Sequence, residues 1–212
     1  MELINWTVDF LLHIDQYLAV WAEQYGIWIY AILFMILFCE TAFFFMPFLP
    51  GDSVLFVAGT LAAIYSKTIN VHYLVIILII AAILGNQVNY LIGRYLGDKI
   101  FSNPNSKFFK RSYLVKTHVF FKHHGKKTIV LSRFVPIIRT FAPLVAGMGK
   151  MNPHFFFASN VLGGIIWVTI FLYLGYLFGT LPVVRNNLQL IIVMIILISV
   201  VPAFFEFRKK NN

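Results

Sequence analysis

The chain has 212 residues, of which 60% are hydrophobic and 12% charged, and its formal net charge is +9. Soluble domains carry about 25% charged residues, so this composition excludes an ordinary water-soluble protein and indicates a lipid bilayer as the main solvent. The excess of Lys and Arg does not indicate nucleic acid as a partner, because the cations lie between hydrophobic blocks, as the positive-inside rule describes. Because Cys39 is the single cysteine, neither an intrachain disulfide nor a cysteine-based metal site is expected.

Residues 1–24 predict an amphipathic N-terminal helix. Its polar side chains recur at heptad spacing, at Glu2, Asp9, Gln16 and Glu23. A cleavable signal peptide would begin with Lys or Arg and end at a small-residue cleavage site, so this segment is expected to be retained. Its acids disfavour contact with anionic lipid, and we therefore expect the helix to dock on the protein itself.

A membrane domain is predicted over residues 25–205. A membrane-spanning helix needs about 20 mostly apolar residues. Four segments meet that requirement, namely residues 27–45, 71–93, 155–179 and 188–205. The first of them contains one charged residue, Glu40, and the other three contain none. The predicted fold class is therefore an all-α polytopic membrane protein with about four transmembrane helices.

Two further apolar stretches, residues 46–65 and 129–149, contain prolines, glycines and charges that fit a membrane span badly. Irregular backbone is tolerated at membrane depth only where protein or a water-filled cavity covers it. Both stretches are therefore predicted to be re-entrant hairpins, each entering and leaving the membrane on one side. The residues expected to shape these hairpins are Pro47, Pro50, Gly51, Pro136, Pro143 and Gly147.

The segment 94–127 holds nine Lys or Arg residues and one acid, Asp98. This balance predicts a basic loop in the cytoplasm. Counting four spans and two hairpins outward from that loop places both termini in the cytoplasm, in agreement with the basic tail 206–212. The same count makes the two hairpins enter from opposite faces of the membrane.

Short phrases recur in the two halves of the membrane domain. Asn70 and Asn152 open two of the spans, and each is followed 23 residues later by the first glycine of a Gly-x-x-x-Gly pattern. Each hairpin also contains Val-Ala-Gly, at residues 57–59 and 145–147. Opposed hairpins in such halves form an inverted repeat, an architecture of many secondary transporters. The alternative is that small motifs recur by chance in apolar sequence. The predicted halves are residues 27–97 and 128–205.

Four charges fall within the predicted spans and hairpins themselves: Glu40, Asp52, Arg133 and Arg139. A charge near the bilayer centre costs roughly 2.5–3.5 kcal/mol on insertion scales, so it normally faces a cavity or a partner. The planar fork of arginine matches a phosphate, which predicts that Arg133 and Arg139 bind an anionic headgroup. A carboxylate removed from water can bind and release protons, which predicts proton coupling by Glu40 and Asp52. The alternative is that the four charges form structural ion pairs.

Several phrases along the chain resemble the DedA family, whose domain is also called the SNARE-associated or VTT domain. They are Phe-Cys-Glu at 38–40, Pro-Phe-Leu-Pro-Gly-Asp at 47–52, Gly-Asn-Gln-Val-Asn-Tyr-Leu-Ile-Gly-Arg at 85–94, Arg-Phe-Val-Pro-Ile-Ile-Arg-Thr-Phe-Ala-Pro at 133–143 and Gly-Met-Gly at 147–149. The resemblance extends over residues 20–205 and places the family's four charged functional positions on Glu40, Asp52, Arg133 and Arg139. The chain departs from the pattern at Asn86, where many relatives have Asp.

The resemblance implies a transporter of the bacterial inner membrane that is linked to the proton motive force. It further implies an anionic lipid as the partner, either a polyprenyl phosphate such as undecaprenyl phosphate or a phospholipid. Because no Ser/His/Asp order, metal-ligand spacing or cofactor motif stands out among the residues, neither an enzymatic activity nor a cofactor is expected. Two alternatives stay open at this point. The first is a proton-coupled antiporter of small cations or drugs, with the acids binding the substrate. The second is a non-transporting membrane scaffold for envelope or division proteins.

Overall fold

The structure is a computed structural model that describes residues 26–43, 51–100, 128–134, 136–182 and 184. Five helices contain most of these residues: α1 (Trp28–Ala42), α2 (Gly51–Ile64), α3 (Val71–Ile100), α4 (Pro136–Met148) and α5 (Pro153–Phe178). No strand occurs within the described ranges, so the predicted all-α class is confirmed for them. The predicted N-terminal helix, the span 188–205 and the basic tail lie outside the described residues.

Two of the predicted spans are confirmed as long apolar helices. The helices α3 and α5 contain 30 and 26 residues, and each is long and apolar enough to cross a membrane. Helix α3 extends beyond the predicted span to Ile100, into the segment predicted as a basic loop. The reason is that no proline interrupts the chain until Pro104, so the helix continues past its apolar part.

The predicted span 27–45 corresponds to a shorter helix. Helix α1 contains 15 residues, which cover about 22 Å and fall short of a hydrocarbon core of about 30 Å. Helices α2 and α4 are shorter still, with 14 and 13 residues. The described chain therefore combines two membrane-length helices with three short apolar ones.

Equivalent asparagines begin the two long helices. The side-chain oxygen Oδ1 of Asn70 accepts a hydrogen bond from the backbone N–H of His72, at 2.9 Å. Asn152 Oδ1 accepts from the backbone N–H of His154 in the same way, at 3.0 Å. Asparagine is among the preferred residues at this position because it satisfies a backbone donor that has no partner within the helix. Both asparagines belong to the phrases that predict the internal repeat.

The chain divides into two compact units. The first consists of residues 1–37, 48–81 and 168–212, and the second of residues 38–47 and 82–167. Each long helix contributes one part to each unit, since the division falls within α3 and within α5. The units therefore cut across the predicted repeat halves.

In the first unit, α2 crosses α5 at a contact between glycines. Helix α2 is buried from Gly51 to Ala62. A Cβ on Gly59 would collide with the carbonyl oxygen of Leu172, and one on Gly175 would collide with the carbonyl oxygen of Phe56. The hydroxyl of Thr60 donates to the carbonyl oxygen of Gly175, at 3.2 Å. Glycine is required here because the two backbones approach too closely for any side chain.

In the second unit, α4 crosses α3 at a contact of the same kind. A Cβ on Gly147 would collide with the carbonyl oxygen of Tyr90, and one on Gly93 would collide with the carbonyl oxygen of Leu144. Tyr90 also stacks on Phe156, with ring centroids 4.2 Å apart, and its hydroxyl donates to the carbonyl oxygen of Met151. These contacts form the buried apolar core of the unit.

The two crossings are equivalent residue by residue. In each, the colliding carbonyl on the short helix lies three residues before that helix's glycine, as Phe56 does before Gly59 and Leu144 before Gly147. The colliding carbonyl on the long helix also lies three residues before its glycine, at Leu172 and Tyr90. The Val-Ala-Gly of each predicted half thus packs on the Gly-x-x-x-Gly of the other half.

The second predicted hairpin has a helical segment at 128–132, a turn at residues 133–134, and then α4. Pro136 begins α4, a position that suits proline because its missing N–H would have no partner there. Pro143 and Gly147 lie inside α4, which continues through both residues, and their role in shaping the hairpin stays a prediction. Asn89 of α3 also bonds this part of α4, since its Nδ2 donates to the backbone carbonyl of Thr140, at 2.8 Å.

The turn after α4 is stabilised by its own backbone bonds. Lys150 has a positive φ of 52°, and its N–H donates to the carbonyl of Gly147. The N–H of Met151 donates to the carbonyl of Ala146, which completes the two-bond pattern that ends many helices. In the first predicted hairpin, Gly51 begins α2, while Pro47 and Pro50 lie outside the described residues.

Candidate functional site

A small buried cavity in the second unit collects three of the four charged residues singled out in the sequence. Its described lining consists of Glu40, Thr41, Asn86, Arg133, Arg139, Thr140 and Trp167. All of these residues belong to the second unit. The cavity has a volume of about 10 Å³, enough for about one water molecule. Two guanidinium groups and one carboxylate therefore share a nearly filled space.

Glu40 and Arg139 form an ion pair in this cavity. Nη2 of Arg139 donates to Oε1 of Glu40. The two side chains are 1% and 7% exposed, so water screens their attraction little. Glu40 lies in the last turn of α1 and Arg139 in the first turn of α4, and the pair therefore joins those two helix ends. Removing one partner would leave an uncompensated buried charge.

Arg133 is held differently, by neutral groups. It is 2% exposed and lies at the turn before α4. Its Nη2 donates to the backbone carbonyls of Ala82 and Asn160, at 3.4 and 3.3 Å, and to the side-chain oxygen of Asn160. Its Nε is buried without a hydrogen-bond partner among the described residues. No carboxylate of the described residues lies within ion-pair distance of this guanidinium.

Trp167 contacts both arginines. It is 1% exposed and lies near the middle of α5, with the guanidinium carbons of Arg139 and Arg133 at 4.9 and 5.8 Å from its ring centroid. A cation within about 6 Å of an aromatic face is attracted to it, and desolvation strengthens that attraction. Sequence reasoning missed Trp167. The feature that could have identified Trp167 is its position in the middle of a predicted span, because tryptophan in membrane helices is enriched at the interfaces instead.

Buried amides complete the network, and sequence reasoning missed two of them. Asn89 Nδ2 donates to the carbonyls of Thr41 and Thr140, at 3.2 and 2.8 Å. Asn160 Nδ2 donates to the carbonyl of Ile83, at 2.9 Å. Asn89 and Asn160 could have been identified because each places an amide inside a predicted span. A buried amide without a hydrogen bond is costly, so such a side chain must find a partner.

Asn86 lines the cavity and is 4% exposed. As an amide it adds no charge to the cavity. Gly85, next to it, approaches α1 so closely that a Cβ would collide with Oγ1 of Thr41. This stretch of α3 therefore supplies a polar, uncharged wall to the cavity.

Asp52, the fourth charged residue, belongs to the first unit. It lies in the first turn of α2 and is 7% exposed. A carboxylate at this end of a helix is stabilised by the helix dipole and by backbone N–H groups that have no partner within the helix. Asp52 is therefore a buried charge, as its position within the membrane domain indicated. Its participation in proton coupling stays a prediction.

The arrangement is suited to binding an oxyanion rather than a metal. Guanidinium groups donate hydrogen bonds in a fixed planar geometry that fits phosphate or carboxylate oxygens. Within the described residues, no group of three or more His, Cys, Asp or Glu side chains is placed to hold a metal ion.

Comparison with known proteins identifies relatives over most of the chain. The VTT domain matches residues 49–177, more than half of the sequence. Protein DedA of Escherichia coli (strain K12) is 58% identical over 212 residues, covering 100% of this chain and 97% of that protein. An uncharacterised membrane protein of Mycobacterium tuberculosis (strain ATCC 25618 / H37Rv) is 39% identical over 199 residues, covering 91% and 87% of the two chains.

A third relative, the inner membrane protein YqjA of Escherichia coli (strain K12), is 32% identical over 173 residues and covers 78% of each chain. No solved structure matches the chain. The domain match and the similarity to DedA over the full length agree with the two membrane-length helices. This chain is therefore a membrane protein of the DedA family, and its residues 49–177 form a VTT domain.

Proposed function

We propose that this protein transports an anionic lipid across the bacterial inner membrane and that transport is coupled to protons. Arg133 and Arg139 bind the phosphate of the lipid, and Glu40 and Asp52 bind the protons. The substrate class is a polyprenyl phosphate, with undecaprenyl phosphate as the first candidate, or a phospholipid. The observation that carries the proposal is the burial of two arginines with one glutamate in one cavity, where the arginines have different partners.

The different partners support different roles. Arg133 is held by amide and carbonyl oxygens, so its positive charge is available to an anion. Arg139 is paired with Glu40, so an anion must compete with that carboxylate for it. A cavity of about 10 Å³ cannot accommodate a phosphate group beside the pair. Binding therefore requires Arg139 to exchange Glu40 for the phosphate.

This exchange couples the lipid to a proton. Protonation of Glu40 removes its negative charge and weakens its attraction to Arg139. The freed guanidinium then binds the phosphate, so a proton on Glu40 and an anion on the arginines occupy the site together. The two cross the membrane in the same direction. A proton gradient directed into the cell consequently drives uptake of the lipid from the outer leaflet.

The same proposal includes the membrane architecture. The hairpins 46–65 and 129–149 enter from opposite faces, both termini are cytoplasmic, and the halves form an inverted repeat around the site. The equivalent crossings at Gly59 and Gly147 support a repeat, because the same close backbone contact recurs with the same spacing. The name of the relative YqjA supports placement in the inner membrane.

The test is translocation of a fluorescent short-chain polyprenyl phosphate in proteoliposomes, with and without an imposed proton gradient. Transport by the natural protein is expected to increase with the gradient. Arg139→Ala is expected to abolish it, while Lys67→Ala, which removes a cation from an exposed turn, is expected to leave it unchanged. Gradient-independent transport, or full transport by Arg139→Ala, would contradict the proposal.

A structural role for the charges is the second candidate, and the Glu40–Arg139 ion pair favours it. In a scaffold, the charge-swapped double variant Glu40→Arg with Arg139→Glu would recover both folding and function. In a transporter it recovers folding without transport, because the protonatable group and the anion-binding group have changed places. Folding is measured by size-exclusion chromatography in detergent, and transport by the same liposome assay.

A further inference from the structure

One face of α5 is built around Arg133. Asn160 accepts hydrogen bonds from its guanidinium, and Gly163 lies under its side chain, where a Cβ would come within 3.0 Å of Arg133 Cδ. Gly164 is the next residue, and the ring of Trp167 lies 5.8 Å from the guanidinium carbon. Positions separated by three, four and seven residues share one face of a helix. These four residues therefore form a cradle for a single arginine.

Within the cradle, the orientation of the Asn160 amide is determined by its neighbours. Asn160 is fully buried. Its Nδ2 donates to the carbonyl oxygen of Ile83, at 2.9 Å, and a carbonyl can only accept. The side-chain oxygen is consequently turned toward Arg133, whose Nη2 donates to it. The amide thus fixes the guanidinium without adding charge.

We propose that Asn160 is a positioning residue that keeps the charge of Arg133 uncompensated, so that the site can bind a phosphate monoester. This inference rests on the proposed function and adds the source of its anion affinity. An aspartate at this position would present the same oxygen to Arg133 but would form an ion pair with it. The charge that attracts the phosphate would then be neutralised by the protein itself.

Because only Arg133 is held in the cradle, the two arginines have different roles in binding the anion. Arg133 is immobilised by Asn160, by the small residues under it and by Trp167, and it serves as the permanent anchor for the anion. Arg139 has a carboxylate partner and serves as the exchangeable contact. A site with one permanent and one exchangeable cation holds its anion weakly until Glu40 is protonated and strongly afterwards.

The experiment measures binding of a fluorescent geranyl phosphate to the full-length protein in detergent. Asn160→Asp is expected to weaken binding at least about tenfold, because it pairs the anchoring arginine. Adding Glu40→Gln removes one negative charge from the cavity and is expected to recover most of the affinity. The matched control is Asn152→Asp at the position that caps α5, which is expected to bind like the natural protein because aspartate caps helices as well as asparagine does.

Gly163→Ala separates charge from geometry. Its Cβ would displace Arg133 without adding charge, so binding is expected to fall at least about threefold, and Glu40→Gln is not expected to restore it. This variant also keeps the inference testable if Asn160→Asp fails to fold, as judged by size-exclusion chromatography. Competition distinguishes the ligand sources: inhibition by geranyl phosphate but not by inorganic phosphate identifies a lipid phosphate, and inhibition by both identifies the phosphate group itself.

Two results would overturn the inference in distinguishable ways. If the natural protein binds geranyl phosphate and folded Asn160→Asp binds it equally well, Asn160 does not set the charge, and the proposed function stands. If the natural protein binds geranyl phosphate no better than it binds geraniol, the site has no preference for the phosphate. The proposed function then fails, and the inference fails with it.

Discussion

The two glycine crossings share one backbone geometry and have very different surroundings. In the first unit, α2 meets α5 among apolar and small side chains, and Thr60 adds one hydrogen bond to the contact. In the second unit, α4 meets α3 at equivalent positions, but α4 also carries Arg139 and borders a cavity with two arginines and a glutamate. The close approach requires only glycine and a neighbouring backbone. The cluster of three charges is an addition made in the second unit, whereas α2 of the first unit carries the single carboxylate of Asp52.

This difference shows that packing and chemistry are specified by separate residues on the same helices. The glycines and the carbonyls that face them determine where two helices can touch. The charged and amide side chains lie on other parts of those helices and determine what the contact encloses. The variants below test that separation, beginning with the largest expected effect.

Arg139→Gln is expected to destabilise the protein by about 3–5 kcal/mol, because it leaves the Glu40 carboxylate buried without its ion-pair partner. The double variant Glu40→Gln with Arg139→Gln is expected to recover much of that loss, since it leaves neither charge behind. The free energy of unfolding is measured by denaturant titration in detergent. Equal losses in the single and double variants would show that the pair has no role in stability.

Gly93→Ala and Gly175→Ala are expected to destabilise the protein by similar amounts, about 1–3 kcal/mol or more, because each Cβ meets a backbone carbonyl that cannot move aside. The control is Gly164→Ala, whose Cβ would meet the Ile83 side chain at 3.1 Å and is expected to cost less. Unfolding in detergent is again the measurement. Clearly unequal losses at Gly93 and Gly175 would contradict the equivalence of the crossings.

Thr60→Val is expected to destabilise the protein by about 0.6 kcal/mol, because a hydrogen bond between membrane helices contributes about that much on average. It removes a hydroxyl that lies 3.2 Å from the carbonyl of Gly175 and 3.1 Å from that of Phe56 in its own helix, while keeping a similar side-chain volume. The control is Thr41→Val in the second unit, whose hydroxyl bonds within α1 to the carbonyl of Phe38. An unchanged stability of Thr60→Val would show that the glycine contact alone holds the first crossing.

Lys150→Gly is expected to stabilise the protein slightly, by up to about 1 kcal/mol, because glycine adopts a positive φ without the steric cost that other residues have there. Lys150 is exposed and has a φ of 52°. The change tests the turn that follows α4 and has no counterpart among the glycines of the first crossing. A loss of stability would indicate that the lysine side chain makes a contact of its own.

Much of the candidate site could be predicted because charge in a membrane is expensive. That cost identifies Glu40, Arg133 and Arg139 from the sequence alone, and the structure places them in one cavity. The amides and Trp167 could not be assigned in the same way. A buried asparagine becomes informative only when its partner is known, and the partners of Asn89 and Asn160 are backbone carbonyls that lie far away in sequence.

The places of Pro143 and Gly147 inside α4 could not be predicted for a related reason. Both residues are typical of broken backbone, and sequence alone does not show that a helix continues through a proline. Nor does it show that a glycine serves a helix crossing rather than a turn. Pro136 and Gly51 differ from them, because each begins a helix, where local geometry decides.

By itself, the sequence determined that this is an all-α membrane protein of the DedA family, where its two long helices lie and which charges must be sheltered. These properties depend on local composition and on the energy of removing single groups from water. The tertiary structure alone decided which arginine pairs with Glu40, which one is held by Asn160, and that each Val-Ala-Gly packs on the glycines of the other half. Such choices depend on contacts between segments distant in sequence, and no local pattern records them.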